Sequence, residues 1–425
     1  MKELLEKVKS KLRPDLKVLK EIDKAIEKIN YLLKKEKVNA VCVRGGSTAK
    51  GTFLKNDYDV DLFVRFQKTE NNISDLLESV LKKEFNVERV HGSRDYFQIK
   101  GDLLFEIVPV KKILDYREAE NVTDMSPLHV DYVKKHVSKE LADEIRLAKQ
   151  FCKSAKVYGA ESYIKGFSGH ILDLLIIYHG SFEKFVKAAV NWKPKVIFDL
   201  EKHLKDPLKE LDDAKIHSPL IIVDPVQPNR NAAAAMSKEK FDMFIERCKT
   251  FLLHPSEEFF KIKALSKDKV SKQVLPDEEL FFFEVEPLKG KKDIVGAKIM
   301  KTYEYLRSHI KKNEFEIVKT GWEFSQKNKN FSGVHKGSNF MNKDKGSLYF
   351  ILVKEELPST MILSGPPIKQ TEGVAHFKEK HKDIFEENGR LFAREKRKYR
   401  LAKDLIKDLL KDKYVTARVK KIIIC

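Results

Sequence analysis

Cysteine is scarce in this sequence. The four residues Cys42, Cys152, Cys248 and Cys425 lie far apart and form no Cys-x-x-Cys pair. That spacing excludes a disulfide scaffold and a cysteine-based zinc site, and it fits a reducing, cytoplasmic setting. Long apolar runs are also missing. None approaches the ~18 residues that a membrane span needs, so no membrane partner is expected. The opening MKELLEKVKS alternates Leu with charge and lacks the apolar segment of a signal peptide. No internal repeat of fixed period occurs. Acidic residues are in deficit, 64 against 83 Lys plus Arg, for a formal net charge of +19. Such an excess suits a polyanion, most often nucleic acid, less often an anionic membrane surface; a general lysine bias is the alternative reading. Hydrophobic residues reach 42% of the 425, enough for real cores, and the length fits two to four domains of roughly 100–200 residues.

The pattern changes twice along the chain. Residues 1–36 have helical periodicity: Leu4, Leu5, Val8 and Leu12 share a face, Pro14 interrupts, and Ile22, Ile26, Ile29 and Leu33 resume. VNAVCV (38–43) is short and β-branched, a strand. YDVDLFVRF (58–66) alternates, with Asp59 and Asp61 on one face and Val60, Leu62 and Val64 on the other. A helix is predicted over 72–84. DYFQIK and LLFEIVPV read as strands joined in a hairpin at Gly101-Asp102. From about 126 to 255 the pattern is mostly helical, with Ser138 an N-cap and HILDLLIIYHGSFEKFVKAAV a buried helix pair. SPLIIVDPVQPNRNAAAAMS reads as strand, turn and then an Ala-rich helix. After His254-Pro255 strand-like runs (LFFFEVEP, SLYFILVKEE) alternate with the helical GAKIMKTYEYLRSHIKK. The polar stretch KNKNFSGVHKGSNFMNKDKG reads as an exposed loop. The end, residues 396–421, is strongly basic, with Leu401, Leu405 and Leu409 at helical spacing.

One constellation carries chemistry. In RGGSTAKGTFLKNDYDVDLFV a Gly46-Ser47 turn is followed by eleven residues and then Asp59-x-Asp61. Small residues at a helix start let backbone N–H groups approach a phosphate, Ser47 adds a hydroxyl, and Lys50 lies one turn on. Two carboxylates on one strand face repel unless a cation lies between them, and oxygen ligands favour Mg²⁺ or Mn²⁺ over zinc. Glu106, a lone charge amid Leu104, Phe105, Ile107 and Val108, is the candidate third carboxylate; the alternative is that it faces solvent. Three carboxylates and two metal ions beside a triphosphate cradle define nucleotidyl transfer, in which a 3′-hydroxyl attacks an α-phosphate.

These residues resemble the DNA polymerase β nucleotidyltransferase superfamily. SPLH (126–129), EIRLAKQFCKSAKVYGAE (144–161), KGFSGHILDLLI (165–176), IVDPVQPNRNAAA (222–234) and ENGRLFAREKRKY (387–399) extend the likeness, in order, to the archaeal, class I CCA-adding tRNA nucleotidyltransferases. The resemblance implies template-independent addition of C, C and A to the tRNA 3′ end from CTP and ATP. It implies that Ser47, with Gly46, binds the triphosphate. Lys50 stands where many relatives have Arg, which keeps the charge and loses the bidentate fork. Asp59 and Asp61 match the metal pair, and Glu106 a third carboxylate that is usually Asp. His129, Lys149 and Tyr158 match contacts to the nucleotide's sugar or phosphates, and Arg230 an arginine of the nucleobase pocket. Read from the residues alone, alternatives stay open. Arg146, Lys149 and Lys153 form a helical stripe suited to phosphates or to solvent. His129 fits a structural histidine, Tyr158 a core or capping aromatic, and Arg230 a first-turn residue of the Ala-rich helix.

The expected fold is a multidomain α+β chain: a polymerase-β-like nucleotidyltransferase palm (1–125), a helical central domain (126–255) and an α+β RNA-binding C-terminal region (256–425). Expected partners are tRNA, through acceptor stem and T-arm, with CTP, ATP and two Mg²⁺ ions (Mn²⁺ as substitute); a homodimer is left open. The chain ends at KKIIIC, early relative to the family, so the tail that grips the T-arm is expected to be reduced or built differently. The competing readings are a poly(A)-polymerase-like or oligoadenylate-synthetase-like transferase and a catalytically silent RNA-binding relative.

Overall fold

Alternation in the second strand decides the architecture of the N-terminal part. In a computed structural model, which describes residues 1–56, 59–67, 71–101, 103–325 and 344–425, the chain forms two compact units, Met1–Lys263 and the described residues from Ala264 to Cys425. The first contains a five-stranded sheet of β1 (Ala40–Arg44), β2 (Val60–Phe66), β3 (Val87–Val90), β4 (Tyr96–Lys100) and β5 (Leu104–Lys111), in the order β1-β2-β5-β4-β3. β2 and β5 are parallel and the other neighbours antiparallel. Val60, Leu62, Val64 and Phe66 are fully buried on one face. There they meet Ile22, Ile29 and Leu33 of α2 (Lys17–Lys35) and Leu77, Val80 and Leu81 of α4 (Ile73–Leu81). On the other face Phe63 and Val110 pack with Val130 beside the short α3 (Gly46–Lys50). The hairpin pairs Lys100 with Leu104 as the sequence predicts; Asp102 at its tip, like Tyr58 before β2, lies outside the described residues.

The opening helix takes a different path. Pro14 ends α1 (Lys2–Leu12), and Leu5 and Val8 enter the helical core rather than the sheet. That core is built from α5 (Ser126–His136), α6 (Lys139–Ser154), α7 (Gly169–His179), α8 (Phe182–Ala189) and α9 (Lys238–Leu253), beside a parallel pair of β6 (Val196–Asp199) and β7 (Leu220–Val223). Serine side chains cap the starts: Ser138 accepts from Leu141 N–H and Ser168 from Ile171 N–H, each at 3.2 Å. Gly180, in the left-handed region at φ 76°, closes α7. Aromatic rings fill the interior. Phe151 lies 5.3 Å from Phe182 and 5.4 Å from Phe251, both edge-on, and Phe167 lies 4.5 Å from Phe244.

The run NAAAA is not the helix that its composition suggests. Residues 232–235 form turns, and the helix starts only at Lys238. Asn231 is the reason. Its side-chain oxygen accepts from the N–H groups of Ile222 and Ala233, both at 2.9 Å, and its amide donates to Lys215 O at 2.8 Å. With a fourth bond to Leu220 O at 3.3 Å, this buried asparagine holds the backbone in a turn that Ala propensity alone cannot straighten.

The C-terminal unit combines two antiparallel sheets. β8 (Glu278–Pro287), β9 (Ile317–Ser325), β10 (Lys345–Val353) and β14 (Val419–Ile424) run in the order β14-β8-β10-β9, with α10 (Lys292–Lys312) and α12 (Ala402–Lys411) against them. β11 (Thr360–Pro367), β13 (Arg390–Lys396) and β12 (Asp383–Glu387) form the second sheet, with α11 (Thr371–Lys380) between β11 and β12 in sequence. The basic run 396–421 is divided among the end of β13, α12 and the start of β14. Leu405 and Leu409 are buried while Lys407 between them stays exposed. Most of the polar stretch near 327–346 lies outside the described residues.

Truncating Phe151→Ala removes the ring around which the aromatic core of the first unit closes. It should cost about 3–5 kcal/mol, read as a lower midpoint in thermal or urea unfolding; an unchanged midpoint would contradict this packing.

Candidate active site

The glycines of the turn are shaped by the carboxylate opposite them. Gly45 N–H donates to Asp61 O at 2.8 Å, which ties the start of α3 to β2. Gly46 has φ +50°, and a Cβ there would lie 1.9 Å from Asp61 Oδ2. A side chain at Gly46 is therefore strained in backbone and blocked by Asp61. A Cβ at Gly45 would meet the Phe63 ring at 2.9 Å. Gly46 thus sits against Asp61, and Ser47 follows it in the first turn of α3, half-exposed.

Strand register assembles the carboxylates. Asp61 pairs directly with Glu106 across the parallel β2–β5 ladder, a separation of about 4.8 Å between strands. Gln98, opposite Glu106 on β4, donates to Glu106 Oε1 at 2.8 Å. Asp59 precedes β2 and is exposed, close enough to Asp61 to act on its charge. Burial, then Glu106 and Asp59, push the Asp61 carboxyl up to about 7, against the opposing pull of Lys50. An oxygen-only set suits a hard divalent cation such as Mg²⁺ in its chemistry, although the three carboxylates are not gathered within metal-ligand spacing in this structure.

The cations of the site are organised by two buried aspartates that sequence reading did not single out. Asp173, on α7 and 1% exposed, receives Lys50 Nζ at 2.9 Å on Oδ2 and faces Lys149 Nζ at 3.3 Å with Oδ1. Lys149 also donates to Thr52, at 2.8 Å to Oγ1 and 3.2 Å to O. Burial favours the neutral form of each group, with unequal results. The two lysines hold Asp173 below its usual range, whereas the ion pair does not offset burial at Lys149, which falls to about 8.

The second aspartate, Asp224 after β7, has no exposed surface. It takes His129 Nε2 at 2.9 Å, Arg230 Nη1 at 3.0 Å and the Val226 N–H at 2.9 Å. His170 Nε2 approaches to 3.5 Å, and its ring centroid lies 4.6 Å from that of His129. Burial would raise Asp224, but the two histidines hold it far below the usual range, while burial pulls His170 down to about 4. Among the described residues, His129, His170 and Asp224 are the one group spaced to hold a metal. The Arg230 guanidinium already lies on the same carboxylate, which opposes a second cation there.

All the proposed contacts except the C-terminal ones therefore fall in the first unit. Tyr158 stands over the first turn of α7, where a Cβ on Gly169 would lie 3.1 Å from its hydroxyl and 3.8 Å from Lys149 Nζ. Lys153 Nζ lies 4.8 Å from the Tyr158 ring centroid. The stripe Arg146, Lys149, Lys153 is not a solvated face. Arg146 and Lys149 are buried, and Arg146 bonds Phe53 O at 2.9 Å, Gly51 O and Asp143. It fastens α6 to the loop that follows α3. Asp173 and Asp224 carried a signal in the sequence: each is a lone carboxylate in an apolar run, LDLLII and IIVDPV.

Residues 25–158 match the nucleotidyltransferase domain family, 143–261 the second domain of tRNA nucleotidyltransferases, and 323–423 the C-terminal domain of CCA-adding enzymes. Among solved structures, a cytoplasmic RNA terminal U-transferase shares the fold, with a TM-score of 0.50 at 16% identity over 63% of this chain and 100% of its own. Fold and glycine-carboxylate geometry define a polymerase-β-like nucleotidyltransferase, a class that uses nucleoside triphosphates with divalent metal. A CCA-adding enzyme of Nanoarchaeum equitans is 35% identical over 82% of this chain and 82% of its own length. One of Methanocaldococcus jannaschii is 30% identical over 100% of this chain and 95% of its own. The chain belongs to the archaeal CCA-adding enzyme family of tRNA nucleotidyltransferases.

The shift at Asp61 predicts a metal-dependent stability. Its native pKa, about 7, lies above the ordinary carboxylate value, so the native state retains a proton that the unfolded chain releases. Without metal, this group's contribution falls as pH rises from about 4 to 7 and is fully lost above. Mg²⁺ should therefore raise the melting temperature more at about pH 8 than at about pH 6. Equal Mg²⁺ shifts at both pH values would remove Asp61 from the metal site.

Proposed function

We propose that this chain adds and repairs the 3′-terminal CCA of tRNA without a template, taking CTP and then ATP in one site. The observation that carries the reading is the register of Asp61 with Glu106, beside Gly46, whose positive φ and closeness to Asp61 disfavour a side chain. Family membership supplies the tRNA and the order of addition. In this reading residues 1–125 act as palm, 126–255 as a helical central domain that closes the nucleotide site, and 256–425 as the tRNA-binding region, all in the cytoplasm.

Asp59, Asp61 and Glu106 would hold two divalent ions, Mg²⁺ or Mn²⁺. When bound, such ions lower the pKa of the attacking 3′-hydroxyl and steady the departing pyrophosphate oxygen. The chain's own groups do the rest. Ser47, Lys50 and Lys149 meet the triphosphate with a hydroxyl and two ammonium groups, and orient the α-phosphate for in-line attack. Asp224 fixes His129 by Nε2, which leaves Nδ1 and the ring face for the sugar or phosphates. Arg230, anchored on the same carboxylate yet 43% exposed, borders the nucleobase, and Tyr158 covers the sugar. The extra methylene of Glu106, relative to the family's usual Asp, is accommodated by the Gln98 amide that restrains its carboxylate. Basic residues of the C-terminal region contact the acceptor stem and T-arm backbone, giving affinity that falls steeply with salt.

Single-nucleotide extension tests the assignment. With Mg²⁺ and tRNA transcripts ending before CCA, after C and after CC, the expected outcome is two C additions, one A and arrest. Processive A addition would point to a poly(A)-polymerase-like enzyme, and none with any nucleotide to a silent RNA-binding protein. Asp61→Ala should lower incorporation by about 10³-fold or more, while tRNA affinity by filter binding stays within about threefold. Full activity in that variant would sink the metal-site reading.

A further inference from the structure

We infer that Asp173 is a positioning residue for the triphosphate: one buried carboxylate holds the ammonium groups of Lys50 and Lys149 side by side, so that the phosphates meet a cation pair already assembled. The inference rests on the proposed nucleotide site and deepens it. Asp173 sits in the second turn of α7 among Leu172, Leu174, Leu175 and Ile176, all fully buried. A carboxylate in such surroundings is costly unless it is paired, so its partners are compelled to stay. Those partners come from different elements. Lys50 ends α3, one turn after Ser47, and Lys149 belongs to α6 and also bonds Thr52. One oxygen serves each lysine, at 2.9 and 3.3 Å.

The clamp answers a specific problem. Two ammonium groups gathered for a polyanion repel each other before it arrives, and each would swing to solvent on its flexible stem. Asp173 removes one unit of charge from the pair and keeps a net positive charge for the ligand. It does so from beneath, since Asp173 is 1% exposed and Lys50 10%. Triphosphate binding then costs less side-chain ordering. The same carboxylate supports the charge on Lys149, which burial, Lys50 and Lys153 oppose. Thr52 and the first turn of α7 at Gly169, under the Tyr158 hydroxyl, complete its surroundings and carry no charge.

The test is binding of inorganic tripolyphosphate to the full chain by titration calorimetry, without RNA or turnover, across about pH 6.5 to 9. Asp173→Asn, with folding checked by circular dichroism and melting, should bind about tenfold more weakly near pH 7. Its alkaline loss of affinity should begin at lower pH than in wild type, because Lys149 loses its supporting charge. A merely structural role would lower the melting temperature without moving that limb. Lys50→Met, which leaves Asp173 to Lys149 alone, should move the limb to higher pH and serves if Asp173→Asn does not fold. In extension assays on tRNA, Asp173→Asn should raise the CTP KM with kcat within about threefold. Wild-type affinity and an unmoved limb in folded Asp173→Asn, an unmoved limb in Lys50→Met, or no tripolyphosphate binding by wild type would each overturn the inference. A wild-type chain that binds tripolyphosphate and adds neither C nor A would refute only the proposed reaction.

Discussion

A buried carboxylate cannot stand alone, and much of this site follows from that constraint applied along one helix. The first turns of α7 carry Gly169, His170 and Asp173 on an otherwise apolar element. Gly169 leaves room for Tyr158 and Lys149, His170 lies against His129 and Asp224, and Asp173 draws in Lys50 and Lys149. The apolar residues between them anchor the helix in the aromatic core. The groups that would meet a nucleotide are thus fixed by charges that the interior obliges to be neutralised. The sheet shows the opposite arrangement at Asp61, where burial and the charges of Glu106 and Asp59 outweigh the pull of Lys50.

Much of this was legible because it is local. Alternation in YDVDLFVRF assigned the faces of β2, and Val60, Leu62 and Val64 are fully buried together with Phe66. Pro14 marked the break between two helices, and Gly101 the hairpin. Glu106 stood out as a charge in an apolar strand, and its register with Asp61 gives it a neighbour. Other features were hidden because their causes are distant in sequence. The Ala run after Arg230 has helical composition, but Asn231 bonds across to Ile222 and Lys215 and holds a turn. The basic stripe of α6 has the spacing of an exposed face, yet Arg146 turns inward to carbonyls near residue 50. Asp173 and Asp224 became meaningful only once partners up to 123 residues away were seen beside them.

Two side chains show how residue type suits its surroundings. Lys50 offers a compact ammonium that fits a single carboxylate oxygen of Asp173 in a confined space. Glu106 carries its carboxylate on a strand where the Gln98 amide restrains it.

The path of the N-terminal helix has a mechanical consequence. Because α1 lies in the helical core and α2 under the sheet, the polypeptide passes between these layers twice, once near Arg13–Leu16 and again between β5 and α5. Arg13 bonds Asp143 at the first passage, and Arg94 bonds Asp124 near the second. Sheet and helical core are therefore fastened together at two separated places, by the chain itself and by an ion pair beside each passage.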